Sequence, residues 1–93
     1  MQQTKLMIVD DHPLVRNGLR QLLETESDFI VSAEAESISQ AINILEKTVP
    51  DVVIIDLSLP DGNGLELIRR IAIRHTEIGI LVSSMHDEDL FAE

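Results

Sequence analysis

Apolar and polar positions along this chain follow two periods in alternation. Residues 5–10 form a short apolar run that ends in acid, Leu6-Met7-Ile8-Val9-Asp10, and predict a first strand. Over residues 13–24 the spacing becomes helical, with Leu14, Val15, Leu19, Leu22 and Leu23 on one stripe expected to face inward. Pro13 suits the first turn of that helix, where its missing N–H is not needed. Residues 29–35 predict a second, more mixed strand. Residues 37–47 predict a second helix, with Ile38, Ala41, Ile42 and Leu45 at helical spacing. Residues 51–56 hold the unbroken run Val52-Val53-Ile54-Ile55, which predicts a third strand buried on both faces. Leu59-Pro60-Asp61-Gly62-Asn63-Gly64 is turn chemistry. A third helix follows over residues 65–74, with Leu65, Ile68, Ile71 and Ala72 expected inward. Residues 78–83 predict a fourth strand. Residues 86–93 carry early acids and predict the opening of a fourth helix. Strands alternating with helices indicate an α/β domain with a parallel sheet built from βαβ units.

Composition narrows the picture. At 93 residues the chain accommodates one domain. Hydrophobic residues make up 44%, enough for a packed core rather than a disordered tail, and with two aromatics, Phe29 and Phe91, that core must be aliphatic. The absence of cysteine removes disulfides and thiolate metal sites, and fits a reducing cytoplasm. No apolar run reaches the length of a membrane span, and residues 1–5 are too short and polar for a signal peptide. Seventeen acids against seven bases give a formal charge of −10, a field that repels nucleic acid and attracts cations or basic partners.

Three of those acids stand apart. Asp10 and Asp11 end the first apolar run and Asp56 ends the third. Each has an ordinary explanation: Asp11 as a helix cap, Asp56 as a turn residue. If the two runs are neighbouring parallel strands, however, the three carboxylates meet at the carboxyl edge of the sheet, where ligands bind in open α/β folds. Like charges there repel. A hard divalent cation with oxygen ligands, Mg2+ above all, resolves the conflict and points to phosphate chemistry. His12 and His86 each follow a strand end and are expected as polar rim residues rather than ligands. Arg69 and Arg70 are expected on a solvated face, and Gly62 and Gly64 in backbone turns.

Three motifs carry a family resemblance: Ile8-Val9-Asp10-Asp11-His12-Pro13-Leu14-Val15-Arg16, Asp56-Leu57-Ser58-Leu59-Pro60-Asp61-Gly62-Asn63-Gly64, and Ser84-Met85-His86-Asp87. In this order and spacing the chain resembles the receiver domain of two-component response regulators. More narrowly it resembles the NarL/FixJ type, which carries a LuxR-like DNA-binding domain after the receiver. The resemblance covers residues 6–93. It implies a flavodoxin-like (CheY-like) doubly wound parallel sheet of strand order 2-1-3-4, lacking the fifth βα unit. On it, residues 1–93 are a receiver domain incomplete at the C-terminus, with the DNA-binding domain absent. The implied roles are Asp56 as phosphoacceptor, Asp11 as direct Mg2+ ligand, Asp10 as its acidic partner, the backbone carbonyl of Ser58 as a further ligand, and Ser84 as the switch hydroxyl. Ser83 competes with Ser84 for that role, but strand alternation allows only one of them to serve. The implied function is a cytoplasmic phosphorelay module of a transcriptional regulator. It takes a phosphoryl group from a sensor histidine kinase, makes no membrane contact, and reaches DNA only through the absent domain.

One departure from the family pattern matters. The family places a lysine at the end of a fifth strand, whereas the lysines here are Lys5 and Lys47, at the opposite end of the predicted sheet. The fourth strand would then be an exposed edge, and edges invite pairing with another chain. Self-association, as a homo-oligomer or a domain-swapped dimer, is therefore expected. A truncated, non-phosphorylatable interaction module is the alternative reading. An aspartyl phosphohydrolase is disfavoured, since that chemistry wants a second acid two residues after the nucleophile, where Ser58 stands. No enzyme activity is expected beyond Mg2+-dependent self-phosphorylation and autodephosphorylation.

Overall fold

The computed structural model describes residues 2–83. In chain order its elements are β1 (Thr4–Val9), α1 (Pro13–Leu23), β2 (Phe29–Ala35), α2 (Ile38–Leu45), β3 (Val52–Asp56), β4 (Ser58–Leu59), β5 (Gly62–Asn63), α3 (Gly64–Arg74) and β6 (Gly79–Ser83). The main sheet is wholly parallel, with the order β2-β1-β3-β6, and this is the flavodoxin-like arrangement expected. β6 is the fourth strand of the sequence pattern. The short antiparallel pair β4–β5 was not expected; it forms because Gly62, at φ 154°, lets residues 58–63 fold back on themselves. Ser84, the expected switch position, lies outside the described residues, as do His86, Asp87 and the stretch expected to open a fourth helix.

Strand alternation sorts the core into two clusters, one on each sheet face. Met7 and Val9 on β1, with Val53 and Ile55 on β3, pack with Ala41, Leu45, Leu67 and Ile71 from α2 and α3. Leu6, Ile8 and Val31 face the other way, where Leu19 and Leu23 of α1 cover them. Burial of Val53, Ile54 and Ile55 on both faces matches the unbroken apolar run. α2 buries Ala41 and Leu45 as its spacing predicts, and Ser37 caps it by accepting the Gln40 N–H at 3.1 Å.

Two helix stripes differ from expectation. In α1, Leu14 and Leu22 are 85% and 67% exposed, while Val15, Leu19 and Leu23 are partly buried. In α3, Gly64, Leu67 and Ile71 turn inward, whereas Leu65 and Ala72 are exposed. In both helices the inward stripe is narrower than the apolar content suggests. Among the described residues, no helix is long and apolar enough to cross a membrane.

Candidate functional site

The site forms where β1 and β3 lie side by side. Register pairs Val9 with Ile55, so the residues that follow or end these strands, Asp10 and Asp56, emerge at the same edge. Both are 2% exposed. The Asp10 main chain is tied to β2 through its N–H, which donates to the Ala35 carbonyl at 2.9 Å. Asp56 Oδ1 accepts the Ser58 N–H at 3.1 Å, which fixes the carboxylate and leaves Oδ2 directed across the pocket, 3.9 Å from His12 Nδ1. Ser58 lines the open cleft above, together with Asp11, His12, Leu59 and Pro60.

Asp10, Asp11, His12 and Asp56 each bring one donor atom into a group no wider than 4.8 Å. Asp11 is not the helix cap, since His12 occupies that position and α1 has no side-chain cap. Instead Asp11 Oδ1 is buried, accepts no hydrogen bond of good geometry among the described residues, and faces His12 Nδ1 at 3.1 Å. Buried carboxylate oxygens converging in this way are a hard-donor set that fits a divalent cation.

His12 borders the site as expected, its side chain 43% exposed, and its ring reaches the acids. Its N–H donates to Asp10 Oδ1 at 2.8 Å, which folds the side chain back so that Nδ1 also lies 2.7 Å from that oxygen. The hydrogen bond to Asp10 raises the imidazole above its ordinary value of 6.5; desolvation opposes it as the next largest effect, and the charges of Asp11, Asp10 and Asp56 add to the rise.

The loop beyond Asp56 is fixed at three points. Gly64 brings the start of α3 against the Asp56 carbonyl, so closely that a Cβ there would lie 2.6 Å from that oxygen. Asp61 reaches the N-terminus of α2, where its carboxylate accepts the N–H groups of Ile38 at 2.8 Å and Ser39 at 3.0 Å. Asn63 caps α3 by accepting the Leu65 N–H at 2.9 Å. The sequence pattern marked this segment only as a turn.

A parallel sheet of this order, with three acids at its carboxyl edge, defines a receiver-like module. The chain belongs to the response regulator receiver domain family, whose pattern it matches over residues 6–93. Its relatives are transcriptional regulators of the NarL and DegU type. It is 36% identical to the transcriptional regulatory protein DegU of Brevibacillus brevis over 94% of this chain and 37% of that protein. It is 38% identical to the transcriptional activator DevR/DosR of Mycobacterium tuberculosis over 91% of this chain and 39% of that protein. The chain thus spans about two-fifths of the length of these relatives. Among solved structures it resembles a LuxR-family two-component response regulator from an Aurantimonas species, at TM-score 0.85 and 38% identity, over 98% of this chain and 65% of that one. It also resembles the non-phosphorylated receiver domain of the stress response regulator RcsB from Escherichia coli, at TM-score 0.84 and 33% identity, over 98% of this chain and 72% of that one.

Proposed function

We propose that this chain is the phosphoacceptor module of a two-component transcriptional regulator, with Asp56 as the acceptor. The observation that carries this reading is the meeting of Asp10, Asp11 and Asp56 at one sheet edge, their donor atoms gathered within 4.8 Å. A carboxylate is a competent nucleophile toward phosphorus. Asp56 Oδ2 forms the new P–O bond while the P–N bond of a kinase phosphohistidine breaks. The imidazole departs with that electron pair and takes a proton from solvent. Attack of water on the acyl phosphate releases inorganic phosphate and restores Asp56 for a further transfer.

Asp10, Asp11, Asp56 and the Ser58 carbonyl would hold Mg2+. When bound, the ion offsets repulsion between these acids and the incoming phosphoryl oxygens. The Ser58 N–H holds Asp56 Oδ1, which keeps the other oxygen presented to the donor. The Ser84 hydroxyl, one residue beyond β6, serves as the donor that senses the new phosphoryl oxygens. The donor protein is a sensor histidine kinase, and the output passes to a DNA-binding domain of the parent protein. This reading implies a cytoplasmic module, where a kinase with ATP-derived phosphoryl groups is available. Self-association belongs to the same reading, and Leu81 on β6, 57% exposed, offers apolar surface for it.

The test is intact-mass analysis after incubation with acetyl phosphate and Mg2+, beside an Asp56→Asn control. One added phosphoryl group, labile to hydroxylamine and absent from the control, is expected. No adduct would overturn the reading and leave a non-phosphorylatable interaction module.

A further inference from the structure

The Asp10–Asp11 pair is oriented from outside the pocket. Asp10 directs its N–H toward β2 and its carboxylate toward His12, while its carbonyl points to α1. There Arg16 Nη1 donates to that carbonyl at 2.6 Å. The carbonyl of Asp10 and the N–H of Asp11 belong to one rigid peptide plane. Whatever holds the carbonyl therefore sets the rotation of the plane, and with it the direction in which Asp11 leaves the backbone.

Arg16 is itself held. Its main-chain N–H makes the first hydrogen bond of α1, to the His12 carbonyl at 3.0 Å. Its Nε donates to Glu34 Oε1 at 3.1 Å. The other oxygen of Glu34 is engaged by Arg20, one turn further along α1, through Nε at 2.7 Å and also through Nη2. Glu34 lies on β2 opposite Ile8, so the carboxylate is fixed by the sheet. Arg16 is 17% exposed and Glu34 24%, which shields the contact from competing water. The planar guanidinium suits this place because one fork spans a carboxylate and a carbonyl at once.

We propose that Arg16 is a positioning residue for the acidic pair, and that Glu34 fixes Arg16 in that task. The proposal rests on the cation-holding reading of the pocket given above. Groups that orient metal ligands through hydrogen bonds change metal affinity on removal by roughly 10- to 100-fold. Arg16 would act in this way through the backbone rather than through a ligand side chain.

The experiment is calorimetric titration of MgCl2 into the chain and into Arg16→Met, Arg16→Lys and Glu34→Gln. It is paired with thermal unfolding and with the amide resonance of Asp11 in metal-free buffer. Arg16→Met is expected to raise the Kd for Mg2+ by at least about 10-fold at temperatures where it remains folded. The same variant is expected to move the Asp11 resonance without metal. Arg16→Lys, whose single ammonium cannot span the Glu34 carboxylate and the Asp10 carbonyl together, should recover only part of the affinity. Glu34→Gln should give an intermediate loss, and it carries the test alone if Arg16→Met does not fold. A merely structural Arg16 would lower the unfolding temperature and leave Kd unchanged in the folded protein, and that result overturns the proposal. Absence of Mg2+ binding by the unaltered chain would overturn the cation reading and this inference with it. The two failures separate at the first titration.

Discussion

His12 Nδ1 lies 2.7 Å from Asp10 Oδ1, so a half-exposed imidazole borders the acidic pocket in direct contact with it. The same nitrogen is 3.1 Å from Asp11 Oδ1 and 3.9 Å from Asp56 Oδ2. When protonated, the ring is a resident cation among three carboxylates.

That placement fixes a sign for stability against pH. The folded His12 imidazole is raised above its ordinary value of 6.5, chiefly by its hydrogen bond to Asp10. A raised basic group stabilises the fold fully below its unfolded pKa, and that contribution is lost as pH rises through the folded value. In metal-free buffer the unfolding temperature of the unaltered chain should therefore exceed that of His12→Ala by more at about pH 6 than at about pH 9. A gap that is constant across this window would contradict the ion pairing. The ring is 43% exposed, so salt should narrow the gap on the acidic side.

Asp61 makes the opposite prediction. Its carboxyl is held below the ordinary 3.8 by the backbone N–H groups of Ile38 and Ser39. A depressed acid stabilises the fold above its unfolded pKa and loses that effect as pH falls through the folded value. Asp61→Ala should lower the unfolding temperature at neutral pH. The two proteins should converge in acid, as pH falls through the lowered Asp61 value. Amide exchange at Ile38 and Ser39 should quicken in the variant, because each loses its acceptor.

The strands and the acidic trio were legible because each rests on local sequence. Apolar runs ending in Asp10 and Asp56 need only parallel pairing to bring those acids together, and Val9 opposite Ile55 provides it. Helix faces were less legible. In α1 five apolar residues share a broad stripe, and composition alone does not say that its centre is Leu19 and that Leu14 and Leu22 fall outside. In α3 the inward stripe passes through Gly64, which carries no apolar signal. His12 was hidden for another reason. A lone histidine beside a proline looks like a surface residue, and only the Asx-type turn from His12 N–H to Asp10 Oδ1 brings its ring against the acids. Arg16 was equally hidden, because its partners Asp10 and Glu34 lie 6 and 18 residues away.

The corrected helix faces can be checked by truncating single leucines. Leu67 is fully buried in α3, against the larger core cluster, whereas Leu22 in α1 is 67% exposed. Leu67→Ala should cost about 2–5 kcal/mol, the usual range for a buried leucine. Leu22→Ala should stay within about 0.5 kcal/mol, as exposed substitutions do. Denaturant unfolding of the two variants measures both values. Equal losses would return Leu22 to the core and restore the inward stripe read from the sequence.

The sharpest prediction concerns Gly64, because one methyl group there links fold and site. Its N–H donates to the Leu57 carbonyl at 2.8 Å, and the start of α3 is thereby drawn against β3. An added Cβ would lie 2.6 Å from the Asp56 carbonyl oxygen, 3.0 Å from Leu57 Cα and 3.1 Å from Ile55 Cγ2. Two of these three neighbours are backbone atoms, so no rotamer change relieves the contact. Gly64→Ala should cost about 1–3 kcal/mol, as overpacking of a tight site does. The strain falls on the main chain of Asp56, whose carboxylate depends on the Ser58 N–H two residues on. Phosphorylation by acetyl phosphate should therefore slow in Gly64→Ala even at temperatures where the variant is fully folded. Gly18 is the control: a Cβ there meets nothing within 4 Å. In the exposed helix interior Gly18→Ala should stabilise by about 0.5–1 kcal/mol through helix propensity. If Gly64→Ala matches Gly18→Ala in stability and in rate, the close approach of α3 to Asp56 is wrong. If Gly64→Ala alone is unstable yet phosphorylated at the normal rate, the contact supports the fold without setting the acceptor.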